Sequence, residues 1–142
     1  MKQITCLFFA CMLGCSVSPP DILDVSLPSD TDDEMGPYLI SAHTWGAIDT
    51  ADVDWRIQPS GSEATAQLRM VEVRPHHWEC FAQGVPAGSE ISMRIVVEGP
   101  GGKARFPPTG MHRFRVIHAN EPCAAPCLQN QQCVNGECIS ND

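Results

Sequence analysis

Short runs of alternating apolar and polar residues recur through the middle of this chain of 142 residues. Between residues 37 and 119 they are separated by turn-forming clusters of Gly, Pro and Ser. A strand with one buried face alternates in this way, and no stretch of about twelve residues shows the period of a helix. The pattern therefore predicts an all-β, two-sheet antiparallel β-sandwich.

Seven runs supply the apolar positions of this predicted sandwich. Six of them have the apolar residues Val53/Trp55/Ile57, Ala66/Leu68/Met70, Val71/Val73, Trp78/Cys80/Ala82, Ile91/Met93/Ile95/Val97 and Phe114/Val116, and the segment Tyr38–Trp45 supplies the seventh. The alternation of apolar and polar residues shifts by one position between Met70 and Val71, and this phase slip indicates a bulge. Residues 99–102, Gly-Pro-Gly-Gly, predict a hairpin tip. Trp55 and Trp78 are the largest predicted core residues.

One of these runs carries a family resemblance. The stretch from Phe81 to Ile95, which includes Gly84-Val85-Pro86-Ala87-Gly88-Ser89, resembles the fibronectin type III stretch Gly-Leu-x-Pro-Gly-Thr-x-Tyr-x-Val. It departs at Ile91, where that family usually has Tyr. Trp55 is similar to the early core Trp of the family. The resemblance implies an Ig-like or fibronectin type III-like domain that presents loops or sheet edges to a partner.

The N-terminus has the composition of an export signal. Lys2 precedes an apolar run from Ile4 to Leu13, which is too short to span a bilayer at about 20 residues. Residues 1–14 are therefore predicted to be a signal peptide. Met12-Leu13-Gly14-Cys15 resembles the lipobox of bacterial lipoproteins, which implies cleavage before Cys15 and acylation of that residue. An ordinary signal peptide with an incidental Cys is the alternative, and Cys11 is a weaker second lipidation candidate.

The resemblance to lipoproteins also implies a location. Acyl chains on Cys15 would anchor the exported protein in a membrane, and Ser16 after the Cys favours the outer membrane of a Gram-negative bacterium. Residues 15–36 are rich in Pro, Ser and Asp without any period, which predicts a disordered tether. The acidic run from Asp30 to Glu34 lacks the spacing of a calcium loop.

The C-terminal residues 120–142 form a Cys-rich tail. Cys123, Cys127, Cys133 and Cys138 lie within 16 residues, too few to bury a core, so disulfides are expected to order them. Four Cys allow three pairings, and zinc ligation is a weaker alternative. Cys80 is then left over, either as a buried thiol in the sandwich or bonded to Cys123.

Few residues form a recognisable catalytic or metal-binding pattern. His76 and His77 lie close to Cys80 in sequence, which suggests a copper or zinc site. Neighbouring residues of a strand point to opposite faces, which argues against it. Asp49, Asp52 and Asp54 fit a polar strand face, and no nucleophile elbow occurs. We therefore expect neither a cofactor nor an enzyme.

Charge narrows the set of partners. The net charge of −8 excludes nucleic acid as a partner, since phosphate binding needs clustered Lys and Arg.

The sequence predicts four segments: signal peptide 1–14, lipidated Cys and tether 15–36, sandwich 37–119 and Cys-rich tail 120–142. The predicted function is a membrane-anchored, non-catalytic binding or adhesion module with a protein or glycan partner. The alternative is a periplasmic ligand- or metal-binding module.

Overall fold

A computed structural model describes residues 17–58, 64–118, 126–129, 131–134 and 137–140. Every regular element in these ranges is a strand. The strands are β1 (Asp21–Ser26), β2 (Tyr38–Trp45), β3 (Thr50–Gln58), β4 (Ala64–Arg69), β5 (Val71–Arg74), β6 (His77–Ala82), β7 (Glu90–Gly99), β8 (Gly102–Phe106), β9 (His112–Arg115), β10 (Gln131–Val134) and β11 (Glu137–Ser140). Across the described ranges, no helix has the length and apolarity needed to traverse a bilayer.

The first nine strands form two antiparallel sheets. The front sheet has the order β1-β2-β6-β5. The back sheet has the order β4-β3-β7-β8, and β9 pairs with the first part of β7. With β1 as strand A, these orders are A-B-E-D and C′-C-F-G, the arrangement of an immunoglobulin-type sandwich. The predicted two-sheet antiparallel β-sandwich is confirmed.

Alternate residues of both sheets meet in one core. Ile40 of β2, Val53 of β3 and the apolar residues of β7 are completely buried. Phe114 joins the sheets, because its ring packs edge-on against Trp55 at 5.9 Å and against Tyr38 at 5.5 Å between centroids. Trp55 is therefore a central core residue, as the sequence predicts.

Trp78, the second predicted core residue, lies at the margin of the core. Its ring is half-buried and packs against the buried cluster. Its Nε1–H donates a hydrogen bond of 3.2 Å to Oγ1 of Thr44. The buried hydroxyl of Thr44 thus satisfies the polar atom of the indole.

The phase slip between Met70 and Val71 marks a change of sheet rather than a bulge within one strand. Arg69 ends β4 in the back sheet, opposite Asp52. Val71 begins β5 in the front sheet, opposite Glu79. Met70 is buried between them, and its N–H donates to the Ala51 carbonyl at 2.9 Å. Val71 and Val73 of β5 are exposed on the outer surface of the front sheet, so the prediction that they are inward positions of the sandwich is wrong.

The predicted tether is wrong for much of residues 17–36. Asp21–Ser26 form β1, which pairs with β2 along its length. Thr31 makes a parallel bridge to Val116, and the backbone of Met35 lies so close to Gly84 that no Cβ would fit there. The alternation is hidden because a bulge separates Ile22 from Asp24 in the pairing, so the partly buried residues are three apart rather than two.

The two ends of the sandwich carry different connections. At the N-terminal end, Asp21 lies opposite Trp45, and the turn between β7 and β8 lies beside the start of β3. At the far end, Ser26 begins the crossing to β2, and Arg115 ends β9 opposite Glu90. Eight residues of β2 separate these ends, a length of about 25 Å. The chain therefore enters the domain at one end and leaves for the tail at the other.

The tail contains a small disulfide-linked hairpin. β10 and β11 pair antiparallel, with Cys133 opposite Cys138 in the register. Cys127 and Cys138 form a disulfide with a Cα–Cα distance of 5.5 Å. The prediction that disulfides order the tail therefore holds for this pair. Cys123 and the side chain of Cys133 lie outside the described residues.

Candidate partner-binding face

Cross-strand ion pairs cover the outer surface of the back sheet, which we call the back face. Neighbouring strands place acidic and basic side chains opposite each other in the pairing register. The directly opposed pairs are Asp52–Arg69 at 2.6 Å, Asp54–Arg94 at 3.1 Å and Glu98–Lys103 at 3.0 Å. Glu90 and Arg113 form a diagonal pair between β7 and β9 at 3.7 Å. The carboxylates of Asp52 and Asp54 are thus parts of a polar strand face, as the sequence predicts.

The outer surface of the front sheet, the front face, is built differently. Large hydrophobic residues with at least 43% exposure occur within the described strands of the front sheet, and none occurs in those of the back sheet. They are Leu23, Leu39, Trp45, Val71, Val73 and Phe81. Their restriction to one sheet separates the two outer faces chemically.

Four of these residues form what we call the apolar patch, defined by Leu39, Val71, Val73 and Phe81. Leu39 lies directly opposite Phe81 in the β2–β6 register. Val71 lies opposite Glu79, two residues before Phe81, so Val71 and Phe81 are diagonal neighbours. Phe81 is 61% exposed although it belongs to a six-residue strand in the interior of its sheet. Such grouped exposure is typical of interaction surfaces.

A groove of about 380 Å³ borders the patch on the side of β4. Its walls are Gln67, Leu68, Arg69, Val71, Val73, Glu79, Cys80 and Phe81. β5 is short and pairs with β6 only as far as Glu79. Among the described strands, β2 alone pairs with Cys80–Ala82, so the other edge of this part of β6 is open. An open edge offers N–H and C=O groups to an additional strand.

Polar groups occupy the centre of the front face. A second cavity of about 370 Å³ is lined by Asp24, Val25, Ser26, Ser41, His43, Arg74, Pro75 and His77. His43 and His77 are opposite each other in the register. The Nε2 atom of His77 lies 3.0 Å from Oε1 of Glu79, so a carboxylate already engages one imidazole.

Trp45 and His76 lie together at the N-terminal end of the front face. Their rings stack with centroids 5.9 Å apart, and the indole is 64% exposed. His76 has a φ of 64°, which is strained for a residue other than Gly. Its N–H donates to Oε1 of Glu72 at 2.8 Å, and its carbonyl accepts from the N–H of Thr44 at 2.9 Å. These bonds fix the turn that supports the indole.

The histidines of the suggested metal site do not converge. His76 stacks on Trp45 in the turn, whereas His77 points onto the front face toward Glu79. Nowhere in the described ranges do three or more His, Cys, Asp or Glu side chains form a group suited to a metal ion. Cys80 lies on the core side of β6, away from both imidazoles, and burial raises the pKa of its thiol to about 11.

Of the two single cysteines singled out in the sequence, the structure describes Cys80 but not Cys15. Cys80 is buried and unbonded in the structure, which agrees with the reading of a core thiol rather than a bond to Cys123. A thiol that is 7% exposed and has a raised pKa is a poor nucleophile at neutral pH. Cys15, the predicted lipidation site, lies outside the described residues.

The apolar patch was not predicted from the sequence, although one signal for it exists. Phe81 lies between Cys80 and Ala82, both of which are buried in the core. A large aromatic residue therefore occupies a position that the alternation assigns to solvent. Val71 and Val73 carry the same signal once the change of sheet is known.

Comparison with known proteins gives a distant likeness in structure and none in sequence. No protein-family model matches the chain, and a search of curated proteins finds no match either. Among solved structures, the chain is similar to the crystal structure of a bromine derivative of BhCBM56, with 17% identity and a TM-score of 0.45. That match covers 67% of this chain and 98% of the other.

Proposed function

We propose that this protein is an exported lipoprotein whose sandwich is a non-catalytic binding module for a polypeptide partner. The acyl anchor is at Cys15, and the partner contacts the apolar patch on the front face. The observation that carries the proposal is the contrast between the two outer faces. Ion pairs satisfy the back face within the molecule, whereas the front face leaves Leu39, Val71, Val73 and Phe81 exposed.

The size and chemistry of the patch favour binding. Monomeric proteins rarely group several large apolar side chains on one exposed face without an interaction partner. Covering about 100 Å² of apolar surface would contribute roughly 2.5 kcal/mol before the costs of association. An aromatic residue beside aliphatic ones is the composition of a contact centre between proteins.

A polypeptide fits this site better than a glycan. Three of the four residues of the patch are aliphatic and have no aromatic face on which a sugar ring could stack. The open edge of β6 at Cys80–Ala82 presents backbone donors and acceptors with the spacing of a strand. An extended segment of a partner could pair with this edge and place alternate side chains in the adjoining groove.

The anchor is supported by the resemblance of Met12-Leu13-Gly14-Cys15 to a lipobox and by the apolar run before it. Replacing Cys15 by Ala tests it. We expect the full-length chain to incorporate labelled palmitate in the outer membrane of a Gram-negative host and the variant to lose the label. A variant that still carries the label and partitions with membranes would overturn the anchor.

The binding face is tested by comparing two matched variants of the whole protein. Phe81→Ser and Val71→Ser together remove apolar surface from the patch, whereas Arg56→Ser changes an exposed residue of the back face. A partner isolated from the envelope and purified should bind the wild type and Arg56→Ser equally. We expect at least a tenfold loss of affinity in the patch variant, or about 1.4 kcal/mol. Equal binding by all three proteins would contradict the proposal.

A further inference from the structure

The N-terminal segment of the domain is fixed to one end of the sandwich. Pro20 is buried, and a Cβ built on Gly46 would lie 3.3 Å from the Cα of Pro20. Ser18 lies against Gly101 in the turn between β7 and β8, so closely that no Cβ would fit there. Ser18, which follows Cys15 by three positions, is therefore already packed against the sandwich.

This packing limits how far an anchor at Cys15 can lie from the domain. Three Cα–Cα steps lead from Cys15 to Ser18, and a fully extended chain spans at most about 11 Å over them. The far end of the sandwich is about 25 Å away along β2. If Cys15 is acylated, as the proposed function requires, the N-terminal end is held close to the lipid, and the far end cannot be the part of the sandwich that contacts it.

The N-terminal end exposes side chains suited to a lipid–water interface. Trp45 is 64% exposed and Val17 51%, and Pro100 is exposed in the turn between β7 and β8 at the same end. Trp is enriched at membrane interfaces, because its ring is apolar and its N–H seeks a polar partner. The stack on His76 already holds the indole in an exposed position, so Trp45 needs no change of conformation to contact the lipid.

Charge at this end selects the kind of lipid. Asp21 and Asp49 are exposed there, and the ammonium group of Lys103 is 3.0 Å from the carboxylate of Glu98. Arg74 adds a single positive charge, which does not amount to the basic cluster that anionic lipids attract. A zwitterionic headgroup layer therefore suits this end better than an anionic one.

We infer that the N-terminal end of the sandwich seats on a zwitterionic phospholipid bilayer, with Trp45 in the interface. The acyl anchor then fixes the orientation of the domain as well as its location. Leu39 lies six residues along β2 from Trp45 and opposite Phe81, so this pair of the apolar patch stands about 20 Å from the level of Trp45. The orientation presents the patch to partners.

The depth of Trp45 can be measured by fluorescence quenching. The full-length acylated protein is reconstituted in phosphatidylcholine and phosphatidylethanolamine vesicles with brominated acyl chains, and flotation verifies attachment. We expect loss of the Trp45 emission, defined as the difference between the wild type and Trp45→Phe. Trp45 emission that remains unquenched while the protein floats would overturn the seating and leave the anchor intact. Failure to float would refute the anchor and the seating together.

Two further variants separate seating from simple tethering. Trp45→Phe combined with Phe81→Trp moves the probe to the apolar patch, and we expect it to remain unquenched. Insertion of 20 Gly and Ser residues after Ser16 should leave flotation unchanged and reduce the quenching of Trp45. Equal quenching of probes at positions 45 and 81 would contradict the orientation. If the insertion left the quenching of Trp45 undiminished, the contact of Trp45 with the lipid would not depend on the short segment between Cys15 and Ser18, which would contradict the inference.

Discussion

The front and back faces of the sandwich share the same strand geometry but differ in how their exposed side chains are satisfied. On the back face, acidic and basic residues pair across neighbouring strands. On the front face, Leu39 and Phe81 pair across strands with no polar cover. The core needs only the inward residues of each strand, so the outward residues are free to specialise. The contrast locates the binding surface on the front face.

The largest expected effect is the difference in stability between a variant on the inner side of the sheets and a variant on the outer side. Phe114→Ala removes a fully buried ring that contacts Trp55 and Tyr38, and should lower the free energy of unfolding by about 3 to 5 kcal/mol. Phe81→Ala removes an exposed ring and should cost less than about 1 kcal/mol. Urea denaturation measures both. Equal losses would mean that Phe81 is a structural residue and would break the contrast.

The next comparison is between the reaction rates of a thiol at position 80 and a thiol at position 81, which are adjacent residues of β6. Burial raises the pKa of Cys80 from 9.0 to about 11, which lowers its thiolate fraction at pH 8 by about 100-fold. We expect reaction with a soluble disulfide reagent to be slower by at least about that factor than in Cys80→Ala/Phe81→Cys, which places the thiol one residue later. Similar rates in the two proteins would show that both sides of β6 are open to solvent.

The same shift of the pKa gives a pH dependence. Cys80 releases its proton more readily in the unfolded chain than in the folded one. Its contribution to stability is therefore fully present below pH 9.0 and is lost as the pH rises toward about 11. Denaturation of the wild type and Cys80→Ala across this window should show a steeper decline for the wild type. Parallel curves would contradict the raised pKa.

The smallest expected effect belongs to the back face. Asp54→Asn removes the carboxylate that pairs with Nη2 of Arg94 and should cost about 0.2 to 1 kcal/mol. Salt should reduce the difference from the wild type, because both side chains are partly exposed. Affinity for the partner should not change. If Asp54→Asn lost as much affinity for the partner as a patch variant, the binding surface would include the back face, which would contradict the proposal.

The sequence predicts the fold well where one strand keeps one phase. Val53, Trp55 and Ile57 in β3, and the residues of β7 from Ile91 to Val97, have the expected alternation and lie in the predicted strands. The two sheets and the hairpin tip at residues 99–102 follow from such runs and their Gly- and Pro-rich boundaries.

The prediction fails where pairing breaks the period. The bulge in β1 spaces Ile22 and Val25 three apart, which hides a strand inside a Pro- and Asp-rich segment. The crossing at Met70 has the appearance of a bulge, because a single sequence does not show which sheet receives the next residue.

The candidate site is less predictable than the fold. Phe81 interrupts the alternation, but its neighbours Leu39 and Val71 are distant in sequence and meet it only through the strand order of the front sheet. The pairing of Cys127 with Cys138 also depends on the register of a hairpin, since three connectivities fit the same spacing.

Site-specific photo-crosslinking in the cell that makes the protein tests the central claim most directly. A benzophenone amino acid replaces Phe81 on the front face in one strain and Arg56 on the back face in another. We predict that position 81 gives a discrete adduct with another polypeptide and that position 56 does not. Adducts at position 56 alone, or no adduct at position 81 despite normal expression and membrane attachment, would contradict the assignment of the front face as the binding surface.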